Sequence, residues 1–288
     1  LKSFLACVGR SRPRVLVGIP LARIISRFFR RPFSSVTIRV SASNSLTARL
    51  PKLQTPHLEL PFSVNIAATD PAAVLFTSGS TGAPKGVCYE HGMFEAQVRL
   101  IRDTYAIEPG EIDLSLLPIF ALFNPALGMT TIVPEMDPRR PASIDPVKVV
   151  QAINQEQVTN SFGSPTLWHK ISAHCHAHDL ALPSLRRVLC AGAPVPAVLW
   201  RSARRLLPSG RLHSPYGATE ALPIATISSD EIDANSVRGA CVGQPLPGIE
   251  IKVIDITDAP ITSLPDAREC ARGKIGELIV RGPVVTKA

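Results

Sequence analysis

With 288 residues, 45% of them hydrophobic, the chain can bury a substantial core and is neither disordered nor fibrous. Its formal net charge of +8 invites a nucleic-acid reading, yet residues 1–58 hold 11 Lys and Arg and no Asp or Glu, while the remaining 230 hold 20 basic against 23 acidic residues. The basicity therefore belongs to one arm, and with no nucleic-acid motif or aromatic platform in the sequence no nucleic-acid partner is expected.

In that arm, PLARIISRFFRRPF sets Leu21, Ile24, Ile25 and Phe28 near one helical face, with Arg23, Arg27 and Arg30 away from it. Such a helix either packs its apolar face on the α/β core, the reading favoured here, or makes weak peripheral contact with anionic membrane. From about residue 60 short apolar runs alternate with amphipathic stretches. AAVLFTS, GMTTIVP, RRVLCAG and GIEIKVID read as strands, the first as a buried one ending at Phe76; helices are expected after His91, Asp145, Ser164 and Val195. Pro146, Pro165 and Pro196 stand where a helix begins and a missing N–H costs nothing. This rhythm predicts an α/β fold, a layered and mostly parallel sheet with flanking helices. After about residue 240, QPLPG, DAPITSLPD and RGP punctuate a strand-and-turn pattern. The expected organisation is a partly helical basic arm at 1–58, a nucleotide-binding core at 59–240 and a smaller β-rich subdomain at 241–288.

Cys7, Cys88, Cys175, Cys190, Cys241 and Cys270 form no CxxC pair and read as free thiols in a reducing compartment, with the cytoplasm as default. No apolar run reaches membrane-spanning length. Leu1 in place of Met, and a strand-like GELIVRGPVVTKA running to the last residue, lead to the expectation of a longer protein. The oligomeric state is not legible.

The most informative segment is LFTSGSTGAPKGV at 75–87. Thr77, Ser78, Gly79, Ser80, Thr81 and Gly82 offer backbone N–H groups and hydroxyls, and Lys85 adds a point charge. Glycines admit close approach of an anion, and consecutive N–H groups form a concave nest for phosphate oxygens. The order GxxxxGK[ST] of a Walker A loop is absent. A Gly-Ser-rich run alone reads as a solvated turn between strand and helix, but the ten-residue string TSGSTGAPKG resembles the signature of the adenylate-forming superfamily of acyl-CoA synthetases, peptide-synthetase adenylation domains and luciferases.

Four further segments resemble that superfamily in its order: CAGAPVP at 190–196, SPYGATE at 214–220, VGQPLPGIEIKVID at 242–255 and GKIGELIVRGP at 273–283. The resemblance implies ATP and Mg²⁺ as cofactors. It assigns Gly192, Ala193 and Pro194 to the purine wall, Tyr216 to stacking on adenine beside Gly217, Thr219 to the α-phosphate and Glu220 to Mg²⁺, with Lys85, Thr219 and Glu220 as the catalytic set. Ser214 stands where the family often has Asn. The ribose-binding Asp, the hinge and the small C-terminal domain with its catalytic Lys would lie beyond Ala288. The implied reaction is attack of a substrate carboxylate on the α-phosphorus of ATP.

The stretch from Glu90 to Pro138 resembles one subfamily, the β-lactone synthetases of bacterial long-chain olefin biosynthesis. This implies a long-chain β-hydroxy fatty acid as the small-molecule carboxylic acid substrate and its closure to a β-lactone; the alternatives are a fatty acyl-CoA synthetase or a non-catalytic fragment with a membrane-binding basic arm. The run Leu116, Leu117, Pro118, Ile119, Phe120, Ala121, Leu122, Phe123 is a candidate acyl-pocket wall, although such runs are more often core. His174, Cys175, His176 and His178 lack an HExxH glutamate and a distant matched pair, so an exposed helix end is preferred over a zinc site. His91 reads as a capping or packing residue.

Overall fold

The structure is a computed structural model that describes residues 1–41, 64–77, 84–137, 140–233 and 240–287, with only the backbone described at 118–120. Packing divides the chain into two compact units, Leu1–His91 with Lys287–Ala288, and Gly92–Thr286.

In the first unit, helix α1 (Lys2–Ser11) precedes strand β1 (Val15–Gly18), helix α2 (Pro20–Phe28) and strand β2 (Ile38–Ser41). β1 and β2 pair in parallel, and Val8, Phe33 and Val36 form a small core with Leu5, Leu16 and Ile25. Of the apolar face expected to pack on the α/β core, Ile25 joins this small cluster within the arm, whereas Leu21, Ile24 and Phe28 are 52%, 50% and 80% exposed. Strands β3 (Pro71–Thr77) and β4 (Lys85–Glu90) pair antiparallel, with Thr77 opposite Lys85. The phosphate-loop segment thus joins two strands of one ribbon rather than a strand and a helix. β3 also continues past Phe76 and none of its residues is buried, because a two-stranded ribbon leaves a face uncovered.

In the second unit, helix α3 (His91–Tyr105) leads to strand β5 (Ile112–Ser115), a 3₁₀ turn (Pro118–Phe123), helix α4 (Asn124–Leu127) and strand β6 (Thr130–Ile132). Then follow α5 (Pro146–Gln155), β7 (Asn160–Gly163), α6 (Pro165–Ala177), β8 (Arg187–Cys190), α7 (Ala197–Leu206), β9 (Arg211–Ala218) and β10 (Ala221–Ser228). The short β11 (Gln244–Pro245) completes a seven-stranded sheet of order β11-β10-β9-β8-β7-β5-β6. Its β6-β5-β7-β8-β9 part is parallel, while β10 and β11 are antiparallel. Strands β12 (Glu250–Ile254) and β13 (Glu277–Arg281) form a separate antiparallel pair.

Local chemistry explains the helix starts. Asp145 caps α5 by accepting the Val147 N–H, with Pro146 behind it, and Pro165 follows Ser164 at the start of α6. Pro196 occupies the residue before α7 rather than its first turn, so that helix begins at Ala197.

Alternation along the strands gives the sheet two unlike faces. Leu114, Val188, Cys190 and Leu212 point to a dry core with Trp168, Ile171, Leu199 and their neighbours on α5, α6 and α7. The opposite face carries Phe162 and Leu189, which cluster with Tyr105, Ile107, Leu127 and Met129. Asp113, Asn160, Arg187 and His213 share that face by register.

Candidate active site

The face of the sheet toward α3 and α4 encloses a cavity of about 580 Å³, within the range of small-molecule sites. Its mouth lies at the C-terminal ends of β8 and β9, where ligands bind in open α/β sheets. Gly192, Ala193 and Pro194, in the loop after β8, line it together with Ser214, Tyr216, Gly217 and Thr219 from the end of β9 and the following turn. Gly192 has φ +91°, which favours glycine, and a Cβ on Gly217 would lie 2.7 Å from the Ala221 carbonyl oxygen, so the tight β9–β10 hairpin needs glycine there. Six of the residues that the resemblance assigned to the nucleotide, Gly192, Ala193, Pro194, Tyr216, Gly217 and Thr219, are therefore brought to one cavity.

Glu220 shares the hairpin turn with Thr219 and is exposed. Its backbone carbonyl accepts the Thr286 N–H at 2.9 Å, while its carboxylate has no partner among the described residues. A single free carboxylate suits Mg²⁺, which binds through one or two carboxylates plus phosphate oxygens and water. Among the described residues no group of three or more His, Cys, Asp or Glu is placed to hold a metal ion. The His174 and His178 rings lie 4.3 Å apart near the end of α6.

In the other unit, Lys85 begins β4, exposed and without a partner among the described residues, opposite the half-buried Thr77. Ser78, Gly79, Ser80, Thr81 and Gly82 lie outside the described residues.

Inward from the mouth the cavity wall is apolar, with Ile101, Phe123, Leu127, Met129, Phe162 and Leu189. The apolar run at 116–123 divides its roles. Leu116 is buried in the dry core, Leu122 is 67% exposed, and Phe123 lines the cavity. At the inner end sit three polar residues that sequence reasoning missed. The carboxylate of Asp113 accepts from Asn124 Nδ2 at 2.8 Å and from Asn160 Nδ2 at 2.5 Å, and Asn124 Nδ2 also donates to Thr131 Oγ1 at 2.8 Å. Burial pushes the Asp113 carboxyl up from its ordinary value, and the two amides only partly offset this. The available signal was Asp and Asn inside short strands, where both types are depleted.

Next to this site Tyr105 donates to Thr226 Oγ1 at 3.1 Å and meets His213 edge-on, ring centroids 5.2 Å apart. Burial raises the Tyr105 pKa to about 12. Burial, reinforced by the charges of Arg211 and Arg187, lowers that of His213 to about 4. Arg187 pairs with the buried Glu111, whose carboxyl stays below its ordinary value because hydrogen bonds from Arg187, the Glu108 N–H and Thr159 together outweigh desolvation. Among the described residues no helix is long and apolar enough to cross a membrane.

Residues 5–288 match the family described as AMP-binding enzyme. The chain is 39% identical over 294 residues to an olefin beta-lactone synthetase of Stenotrophomonas maltophilia, covering 97% of this chain and 52% of the relative. A protein of the same name from Xanthomonas campestris is 39% identical over 289 residues, covering 97% and 51%. The chain thus spans about half the length of the curated relatives it matches. Among solved structures, ATP-bound MatB from Rhodopseudomonas palustris superposes with a TM-score of 0.71 at 22% identity, over 99% of this chain and 53% of that one, a likeness of fold. On the family match and the 39% identity together, the chain belongs to the AMP-binding enzyme family.

Proposed function

We propose that the whole protein uses ATP to activate a long-chain β-hydroxy fatty acid and closes the product to a β-lactone. The observation that carries this reading is one cavity whose mouth is lined by Gly192, Ala193, Pro194, Tyr216, Gly217 and Thr219 and whose interior is apolar. A purine fits the aromatic and backbone-rich mouth, and an acyl chain fits the interior. The kinship with proteins named olefin beta-lactone synthetase supports the second half-reaction.

In the first step a carboxylate oxygen bonds to the α-phosphorus, the bond from that phosphorus toward the β-phosphate breaks, and pyrophosphate leaves with the electron pair. In the second, the 3-hydroxyl oxygen bonds to the acyl carbon, its proton passes to solvent, and AMP departs. Chain residues act by alignment and charge neutralisation. Thr77 to Gly82 with Lys85 hold the polyphosphate, Gly192 to Pro194 and Tyr216 hold the purine, and Thr219 meets the α-phosphate. Glu220 would ligate Mg²⁺, which supplies charge neutralisation on the phosphate oxygens. The arm at 1–58, core at 59–240, subdomain at 241–288 and a lid domain following them belong to the same proposal, as does a reducing, cytoplasmic setting, supported by six free cysteines.

The test gives the full-length protein a 3-hydroxy fatty acid, ATP and Mg²⁺ with and without coenzyme A, following products by mass. The expected product has lost water relative to the acid and forms without the thiol; strict dependence on coenzyme A would establish the thioester alternative. Glu220→Ala should lower ATP–pyrophosphate exchange at least about tenfold, and unchanged exchange removes Glu220 from this role.

A second reading concerns the arm. The exposure of Leu21, Ile24 and Phe28 beside Arg27 supports peripheral contact with anionic membrane, each well-placed cation adding about 1 kcal/mol. Liposome co-sedimentation should then weaken with salt and on changing Arg27, Arg30 and Arg31 to Gln. Indifference to both ends that reading.

A further inference from the structure

A second cavity, of about 520 Å³, opens at the other end of the same strands. Arg187 and Arg211 are the first residues of β8 and β9, whereas the active-site mouth lies where these strands finish. Around the second space stand Arg186, Arg187, Arg204 and Arg211, with Ser209 from the α7–β9 connection and Ser229 just after β10. All belong to the second compact unit. Among the described lining residues the only acid is Asp230. Carboxylates nearby leave part of this charge unmatched. Glu111 holds the buried Arg187, and Asp230 holds Arg211 through Nε. Arg186, more than half exposed, comes no closer than 3.9 Å to Glu108 and Glu111, and contacts of that length at a wet surface contribute little. Arg204 is exposed and has no partner among the described residues, nor has the Ser209 hydroxyl. Ser229 accepts the Leu212 N–H at 3.3 Å and keeps its own O–H to give. The carbonyls that end α7 disfavour an anion, but Arg204 and Arg205 in its last turn counter that dipole.

We propose that this basic cavity binds a diphosphate, at a site apart from the nucleotide and acyl cavity, with Arg186, Arg204 and Arg211 and the Ser209 and Ser229 hydroxyls as donors. Of the described residues lining the two cavities only Tyr105 is common to both, so the sites are separate. Guanidinium forks match the paired oxygens of phosphate, and the cations here are arginines throughout, which points to phosphate rather than to a general counter-ion. Several of them spread around a space nearly as large as the active cavity suit two linked phosphate groups better than one. Inorganic pyrophosphate, which the adenylation proposed above releases, and the diphosphate of a nucleotide share this chemistry.

The experiment is equilibrium dialysis of the full-length protein against labelled inorganic pyrophosphate, without Mg²⁺ and at fixed salt, for wild type, Arg204→Gln and Arg201→Gln. Arg201 lies on the same helix, exposed and without a partner among the described residues, but does not line the cavity. Its loss removes the same charge from the surface and none from the site. Arg204 is exposed and unpaired, so glutamine there leaves the fold intact. Pyrophosphate held in the active cavity is common to all three proteins and drops out of the comparison. In Arg204→Gln the dissociation constant of the second site should rise about tenfold or more, while Arg201→Gln stays within about twofold of wild type. No difference among the three proteins overturns the proposal. Equal weakening in both variants overturns it too, since that is attraction by surface charge alone. A repeat with ADP tells the sources apart: tighter binding than pyrophosphate at the Arg204-dependent site assigns it to a nucleotide, weaker binding to the free anion. The result stands whether or not ATP–pyrophosphate exchange is found, so failure of the adenylation reading and failure of this site are distinguishable.

Discussion

The two faces of the seven-stranded sheet are made by the same strands and differ in almost every other respect. Toward α5, α6 and α7, Leu114, Leu116, Val188 and Cys190 are each fully buried against large apolar side chains. Toward α3 and α4, the alternate residues Asp113, Asn160, Phe162, Arg187, Leu189 and His213 border a cavity or a buried polar contact. Neighbouring positions in one strand thus serve opposite purposes, one face holding the sheet in shape and the other kept hollow, with a few polar groups set in an apolar wall. Hollow, polar sites are maintained at a cost in stability that the opposite face must offset.

Matched leucine substitutions give the largest expected effect. Leu114→Ala, on the dry face and fully buried, should destabilise the full-length protein by about 4–5 kcal/mol, because close packing leaves a cavity that cannot collapse. Leu189→Ala, whose side chain already borders open space, should cost only about 2 kcal/mol. Urea unfolding of both variants checks this, and equal losses would mean that the two faces are packed alike.

A smaller effect separates the faces by pH. His213 is held at about 4 in the folded protein, below its unfolded value of about 6.5, so the unfolded state takes up the proton first. Stability should therefore fall as pH drops from about 6.5 to about 4, by about 2–3 kcal/mol, and this slope should disappear in His213→Leu. Unfolding midpoints across that window decide the matter; parallel curves for wild type and variant would show that His213 does not contribute.

Legibility in the sequence followed the same division. β8, β6 and β12 announced themselves as apolar runs, and α5 and α6 by a polar residue followed by proline. β5 and β7 did not, being four residues each and carrying Asp113, Ser115, Asn160 and Ser161. Those polar groups are tolerated because they satisfy one another across strands, as Ser161 does by donating to the Leu114 carbonyl at 2.7 Å. Such pairing joins residues 47 apart in sequence and has no local signature. The mouth of the cavity was readable because Gly192 and Gly217 meet backbone demands that only particular residues meet, and these leave a string of characters. The phosphate-loop string was legible through its resemblance, but the ribbon flanking it was not, since a half-exposed strand pair shows no clean alternation.

The bond from the Thr286 N–H to the Glu220 carbonyl, reinforced by the bridge between Ala221 and Val285, makes one backbone amide a built-in reporter. That proton exchanges with solvent only when the turn bearing Thr219 and Glu220 lets go of it. Its exchange rate, followed by nuclear magnetic resonance or mass spectrometry, reads the rigidity of the turn directly, with no label placed in the cavity. Slower exchange in the presence of nucleotide would register tightening of the turn without any chemistry having to occur.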